Sequence, residues 1–432
     1  SLPGIGKSML ENVYEKNRSY LQNTDSEVYD ALIGEEKRQK NGIELIPSEN
    51  FAFPEVLALL GSAFTNKYSE GYPGRRYYGG QQFTDLIEEL ARERAKKIFR
   101  AEHANVQPLS GSPMNQAIYH AYLKPGDTVL GMELSHGGHL THGAPVSHMG
   151  KIYNFIRYKT VIKKGGIIDW DEVEDLAYKH KPKILLCGHS SYPKDLNYKK
   201  FKEIADKIGA LTMADVSHIG GWIATNHLNN PLDADFDFMT TTTHKSMRGP
   251  RGGLILSKKE HSKKIDSSIF PGLQGGPHMN QVAATAVTMK KIATDEFKNY
   301  AFDVLNNAKK LAKELLNEGF DLVTGGTENH LIVINTVNSV GLDGKIAEQM
   351  LDDFGITTNK QVVPDDPNPP LRPSGIRIGT PAVTTRGMGE KDMEKIAKWI
   401  SVILKGKENF RSLSDLNNEI ENFSKEFNLP GI

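Results

Sequence analysis

From Lys183 to Leu256 short apolar and β-branched runs alternate with helical period: Ile184 to Cys187, a helix from Tyr198 to Ile208, Leu211 to Asp215, Phe236 to Thr241, and Gly253 to Leu256. This alternation predicts a mostly parallel sheet covered by helices. In such sheets ligands gather outside the carboxyl ends of the strands. Asp215, His218, His244 and Lys245 all fall at such ends. Lys245 stands where a strand gives way to the turn Gly249-Pro250-Arg251-Gly252-Gly253. A buried lysine is costly unless the site uses it, so Lys245 is either a solvated loop residue or an amine nucleophile of the Schiff-base kind.

The strand before it favours the second reading. Ala210 to His218 ends in Asp215-Val216-Ser217-His218. Pyridoxal phosphate needs a lysine for its aldehyde and an acid to keep its pyridine nitrogen protonated, and these two strands supply both. Upstream, Ser110-Gly111-Ser112-Pro113 opens a helix predicted from Met114 to Leu123. Backbone N–H groups, hydroxyls and the positive dipole end make that an anion site; the plainer alternative is an ordinary N-cap.

Length and charge narrow the field. A chain of 432 residues can bury a large core and predicts two domains. We divide it into a helical arm (1–40), a large domain (41–298) and a smaller C-terminal α+β domain (299–432). Lysine plus arginine and aspartate plus glutamate both number 53, so nothing electrostatic favours nucleic acid or an anionic membrane. Cys187, the only cysteine, suits a reducing cytoplasm. No secretory signal and no run long enough to span a bilayer is found, and Ser1 in place of Met points to a trimmed or engineered start. Gly4-Ile5-Gly6-Lys7-Ser8 resembles the end of a P-loop but lacks the earlier glycine and the preceding strand, so it is rejected.

Other stretches carry chemistry. Asn66 to Gly80 breaks every periodicity and crowds tyrosines, glycines and charges, among them Tyr68, Glu70 and Tyr78; such loops are more often functional than not. Glu70 is a candidate for proton transfer or simply a solvated acid. His136, His139 and His142 invite zinc, but no Glu, Cys or Asp beside them completes a tetrahedral set, and we assign no metal. A histidine stacked on an aromatic cofactor is the better use. Phe270 to Pro277 is a second backbone-rich loop, and a helix from Met279 is predicted to run past Asp295, followed by another from Asp303 to Asn317. Arg377, on the strand Ser374 to Pro381, is a candidate for a substrate carboxylate or a strand-edge salt bridge. The chain closes on a helix from Asp392 to Leu404 and a polar tail.

Taken in order, Tyr68-Ser-Glu-Gly-Tyr-Pro-Gly-Arg-Arg-Tyr-Tyr-Gly-Gly80, Ser110-Gly-Ser112, His136-Gly-Gly-His-Leu-Thr-His-Gly143, Asp215-Val-Ser-His-Ile219, Thr241-Thr-Thr-His-Lys-Ser246 and Ser374-Gly-Ile-Arg-Ile-Gly-Thr-Pro381 resemble serine hydroxymethyltransferases over about residues 25 to 400. The resemblance implies an α/β fold of PLP-dependent transferase fold type I (aspartate-aminotransferase-like), cytoplasmic, working as a homodimer or a pair of such dimers. It implies the reversible conversion of L-serine and tetrahydrofolate to glycine, 5,10-methylenetetrahydrofolate and water. By resemblance, Lys245 holds pyridoxal 5'-phosphate as a Schiff base, Asp215 pairs with the pyridine nitrogen and His139 stacks on the ring. Ser190 and His218 flank the ring hydroxyl. Ser110, Gly111 and Ser112 bind the phosphate, with Tyr68 and Gly276 reaching over from the second subunit. Arg377 and Ser48 hold the substrate carboxylate, and Glu70 and Tyr78 of the partner chain lie near the serine hydroxyl. Thr242, His244 and Arg251 support Lys245, and Leu134, Gly138 and Leu140 line the folate pocket. Gln361 stands where bacterial relatives commonly carry an asparagine near the pterin; its amide offers the same groups on a longer stem. His136 and Ser217 read as tolerated variation.

Two rival readings use the same residues. A folate-independent PLP aldolase for β-hydroxy amino acids such as threonine would keep Lys245, Asp215 and Arg377 but would not need the Tyr68 to Gly80 loop or the Leu140 pocket. A catalytically inactive PLP-binding regulator is opposed by the presence of Lys245, Glu70 and Arg377 together.

Overall fold

In the computed structural model, which describes residues 7–406 and 413–432, a seven-stranded sheet forms the centre of the larger body. Edge to edge its strands are His103–Asn105, Gly253–Ser257, Phe238–Thr242, Leu211–Asp215, Ile184–Gly188, Thr128–Met132 and Asn154–Tyr158. Neighbours run parallel except Gly253–Ser257, which is antiparallel to both of its partners. Leu130, Leu185, Met239 and Leu254 are fully buried in one core and Leu186, Met213, Phe238 and Ile255 in the other, so both faces of the sheet are covered. The register sets Asp215 beside Thr240 on one side and Gly188 on the other. Gly188 has φ +119°, and a Cβ there would fall 2.1 Å from the Asp215 carbonyl oxygen, so only glycine lets these strand ends close up.

The smaller body is a four-stranded antiparallel sheet ordered Asp321–Leu322, Leu331–Asn335, Gly375–Gly379, Asn359–Gln361. Helices Asp295–Asn317 and Glu390–Lys405 share its core through Leu311, Leu315, Ile396 and Ile400. Ile43 pairs in parallel with Ile356, and Ile43 and Leu45 are buried in this core, so the segment after the arm is bound to the C-terminal sheet.

Three expectations need correction. The helix beginning at Met279 stops at Ile292, and one continuous helix then runs from Asp295 to Asn317, so Asp303 lies inside it. The Thr294 side chain accepts the Phe297 N–H at 3.2 Å, and Asp295 and Glu296 face the positive end of the dipole, so a new helix starts there. The polar tail is a helix, Leu413–Lys425, whose Leu416, Ile420 and Phe423 are buried in the small core. The helix expected from Met114 begins at Gly111. Gly4, Ile5 and Gly6 of the P-loop-like run lie outside the described residues.

Candidate active site

The carboxyl ends of Ile184–Gly188, Leu211–Asp215 and Phe238–Thr242 open into a cleft of about 720 Å³. The large sheet and its loops supply Ser110, Gly111, Ser112, Leu134, Gly138, His139, Leu140, Ser190, Asp215, His218, Thr242, His244, Lys245 and Arg251. Ser48 enters from the segment after the arm, and Asn359, Lys360, Gln361 and Arg377 from the small sheet.

Two half-buried cations face this cleft. Lys245 Nζ donates to Thr242 Oγ1 at 3.3 Å, and among the described residues no carboxylate pairs with it. Burial pushes its ammonium down to about 8, with Arg377 and Arg251 acting the same way against the pull of Asp215. A fraction of the amine is therefore free at neutral pH, the state a nucleophile requires. Arg377 donates from Nε to Asn359 Oδ1 at 3.2 Å and from Nη1 to the Ser190 carbonyl, and no described carboxylate pairs with it either. Burial lowers it to about 10, so it stays charged at neutrality. The strand-edge salt bridge is thus absent among the described residues.

Asp215 is held as a carboxylate by a full set of donors. Asn115 Nδ2 and His142 Nε2 reach Oδ2 at 3.0 and 2.9 Å, and the Ser217 N–H and hydroxyl reach Oδ1 at 3.1 and 2.7 Å. Burial acts to raise this carboxyl, but the hydrogen bonds from His142 and Asn115 and the neighbouring charge outweigh it and hold it well below the usual range. Ser217 thus supplies two of the four hydrogen bonds that hold Asp215. His136 likewise does structural service, since its ring bonds Thr160 Oγ1 at 2.8 Å and Asp365 Oδ1 at 3.0 Å. His139, His142 and Asp215 place three ligand-type atoms within 4.8 Å, so an acid does join the histidines across the fold. The His142–Asp215 hydrogen bond and the Thr141 N–H donated to His139 Nδ1 at 3.1 Å already use those atoms. Burial lowers His139 to about 4 and His244 to about 3, so both rings are neutral.

The Ser110 side chain makes no capping bond, so the ordinary N-cap reading falls, and of the first turn of Gly111–Tyr122 it is Gly111 and Ser112 that line the cleft. Gly111 lies tight against Thr242: a Cβ there would sit 3.0 Å from Thr242 Cγ2. His189 also lines the cleft, with both ring nitrogens buried and unpartnered. A free amine, a carboxylate across from it and an open helix N-terminus fit pyridoxal phosphate.

Tyr68, Glu70, Tyr78 and Gly276 do not join this cleft in the single chain. Tyr68 packs on Gly276, where a Cβ would lie 2.7 Å from its ring, and edge-on to Tyr78 with ring centres 5.4 Å apart. Tyr68 and Tyr78 remain about half exposed.

The family model for serine hydroxymethyltransferase matches residues 21–400, most of the chain. The chain belongs to the serine hydroxymethyltransferase family. It is a PLP-dependent fold type I enzyme that transfers the hydroxymethyl group of L-serine to tetrahydrofolate, leaving glycine. Members of this family are typically homodimers. Sequence reasoning missed Asn115, His142, His189 and Asn50, whose Nδ2 holds the Lys245 carbonyl at 3.1 Å. Asn115 and Asn50 carried no signal because each meets its partner only in the folded chain. His142 lay in the histidine run but was weighed only as a metal ligand.

Proposed function

We propose that Lys245 binds pyridoxal phosphate covalently in this cleft, Asp215 pairs with its ring nitrogen, and Ser110, Gly111 and Ser112 hold its phosphate. The observation that carries this is the pair of half-buried cations without a carboxylate partner among the described residues, Lys245 and Arg377, in one cleft with Asp215. When bound, the cofactor supplies an electron sink for the amino acid's α-carbon. The chain's residues do the rest. Arg377, with Ser48 beside it, takes the substrate carboxylate as a bidentate pair. His139 packs on the cofactor ring, Ser190 and His218 flank its hydroxyl, and neutral His244 with Thr242 and Arg251 keeps Lys245 oriented. Leu134, Gly138 and Leu140 form the apolar wall for the pterin, with Gln361 at its rim.

Glu70 and Tyr78, with Tyr68 and Gly276, act in the partner's cleft, where Glu70 manages the proton on the serine hydroxyl. Their position outside their own chain's cleft supports this. We take residues 41–298 as the large domain, 299–432 as the small one and 1–40 as the arm, with Ile43 and Leu45 reaching into the small core and helix Asp295–Asn317 running across the boundary. A cytoplasmic enzyme is supported by the buried, unpaired Cys187; among the described residues no helix is long and apolar enough to cross a membrane.

Complementation tests the shared site. Lys245→Ala and Glu70→Gln chains, each inactive alone, are co-expressed with different tags and the hybrid dimers purified. One of the two sites in each hybrid is intact, so about half of wild-type turnover returns. Hybrids as inactive as the parents place Glu70 and Lys245 of one chain in one site and overturn the arrangement.

A further inference from the structure

His330 opens the small-sheet strand Leu331–Asn335 and is fully buried. It touches two side chains of the larger body. Trp222 Nε1 donates to His330 Nδ1 at 2.9 Å, and His330 Nε2 lies 3.4 Å from His218 Nδ1. The two imidazole planes lie 16° from parallel with centres 5.6 Å apart, so the rings meet nearly edge to edge.

The chemistry of the donors fixes every proton in this row. An indole nitrogen can only donate, so His330 Nδ1 accepts, and a neutral ring then carries its proton on Nε2. Burial in the first place, with nearby cationic groups, holds both His218 and His330 neutral. The His330 Nε2–H therefore points at His218 Nδ1, which must accept, and the His218 proton is left on Nε2. That nitrogen lies 3.5 Å from Arg377 Nη1. A guanidinium has no acceptor, so the His218 Nε2–H and Arg377, whose Nη1 also donates to the Ser190 carbonyl, set two donors side by side at the cleft.

We propose that Trp222 and His330 are positioning residues that fix His218 as an Nε2–H donor and so make the His218–Arg377 edge of the cleft specific for an anionic oxygen. This rests on the cleft being the cofactor and amino-acid site. Two oxygens have that chemistry there: the ring oxygen of pyridoxal phosphate and the carboxylate of the amino acid. With the row broken, His218 can turn its lone pair toward the oxygen and repel it.

The test uses the full-length enzyme with His330→Phe, His330→Asn and Trp222→Phe. An asparagine amide can accept from Trp222 through its oxygen and donate to His218 through its nitrogen, so it preserves the order of donors. Affinity of the apoenzyme for pyridoxal phosphate and of the holoenzyme for glycine are measured by equilibrium titration. His330→Phe is expected to weaken one or both by about tenfold, the worth of one buried hydrogen bond. Recovery to within about threefold is expected in His330→Asn. Loss confined to cofactor affinity assigns the ring oxygen, and loss confined to glycine assigns the carboxylate. Nitrogen-15 spectra of ring-labelled histidine in the native enzyme should give His218, assigned by its absence in His218→Gln, as Nε2-protonated, with Trp222→Phe mixing the two tautomers.

An Nδ1-protonated His218 in the native enzyme overturns the proposal. So do native affinities in His330→Phe, or an asparagine variant as impaired as the phenylalanine one. Borohydride reduction and peptide mapping of the native holoenzyme run alongside: no pyridoxyl group on Lys245 sinks the cofactor reading, whereas the tautomer result is read independently of it.

Discussion

Lys245 and His139 line the same cleft, and one cause, burial, lowers both toward their neutral forms. Burial leaves a fraction of the amine free at neutral pH and leaves the imidazole uncharged. Replacing Lys245 by alanine removes the amine while Asp215, held by Asn115, His142 and Ser217, keeps its place; serine turnover should fall by on the order of 10³ while the fold survives. Steady-state kinetics with circular dichroism checks both halves. Acid stability follows from the depressed histidines. His139 and His189 sit near 4 and His244 near 3, against an ordinary 6.5. The unfolded chain takes up protons below pH 6.5 that the fold refuses, so stability is complete above 6.5 and declines as pH falls toward 4. Melting of the apoprotein should drop between about pH 7 and 5, by at most ~1.4 kcal/mol per pH unit for each histidine. His244→Gln should flatten that slope; an unchanged slope would mean His244 is not held neutral.

The loop from Lys67 to Gly80 is tied down by several side chains, Gln81, Asp85 and Gln107 among them, and Arg76 makes the most of these bonds. Arg76 donates from Nε to Asp85 at 2.8 Å, from Nη1 to the Ser69 and Gly71 carbonyls at 2.9 Å each, and from Nη2 to Glu88 at 2.7 Å. Arg76 and Glu88 side chains are 3% and 0% exposed, so removing the arginine strands a buried acid. Arg76→Ala should cost about 3–5 kcal/mol in denaturant unfolding. It should also lower turnover, because Glu70 and Tyr78 ride on the released loop, while pyridoxyl labelling of Lys245 persists. Labelling lost together with turnover would show that the damage is not confined to the loop.

Arm, small sheet and C-terminal helix form one joint. Arg386 donates to the carbonyls of Gln39, Lys40 and Gly42 at the end of the arm and to those of Ser424 and Phe427 at the end of the chain. Lys40 Nζ also reaches the Phe427 carbonyl at 2.7 Å, and Phe423 stacks edge-on against Trp399 with ring centres 5.0 Å apart. Phe423→Ala should therefore destabilise the small body by about 3–5 kcal/mol, as a cavity in a packed core does. Because Arg377 stands on that body's sheet, glycine affinity should fall with it. A calorimetric scan and a glycine titration read the two effects, and a stable variant with weak glycine binding would separate them.

The strands around Asp215 and Lys245, their parallel order and the chemistry at their ends could be read from the chain because apolar runs, a lysine before a glycine-rich turn and an acid before a histidine are local signals. The same holds for the helix-starting Ser110-Gly111-Ser112. Thr294 with Asp295 and Glu296, and the spacing of Leu416, Ile420 and Phe423, were equally local and were under-read. What surrounds Asp215 was not local. Asn115 and His142 reach it from separate stretches, only Ser217 being a near neighbour in the chain, and Trp222, His330 and Arg377 arrange the protons on His218 from two bodies. Hydrogen-bond direction depends on which donor meets which acceptor, and that is set only when distant segments pack. Glu70 and Tyr78 carry this furthest, since their chemistry is proposed for a cleft that their own chain does not close.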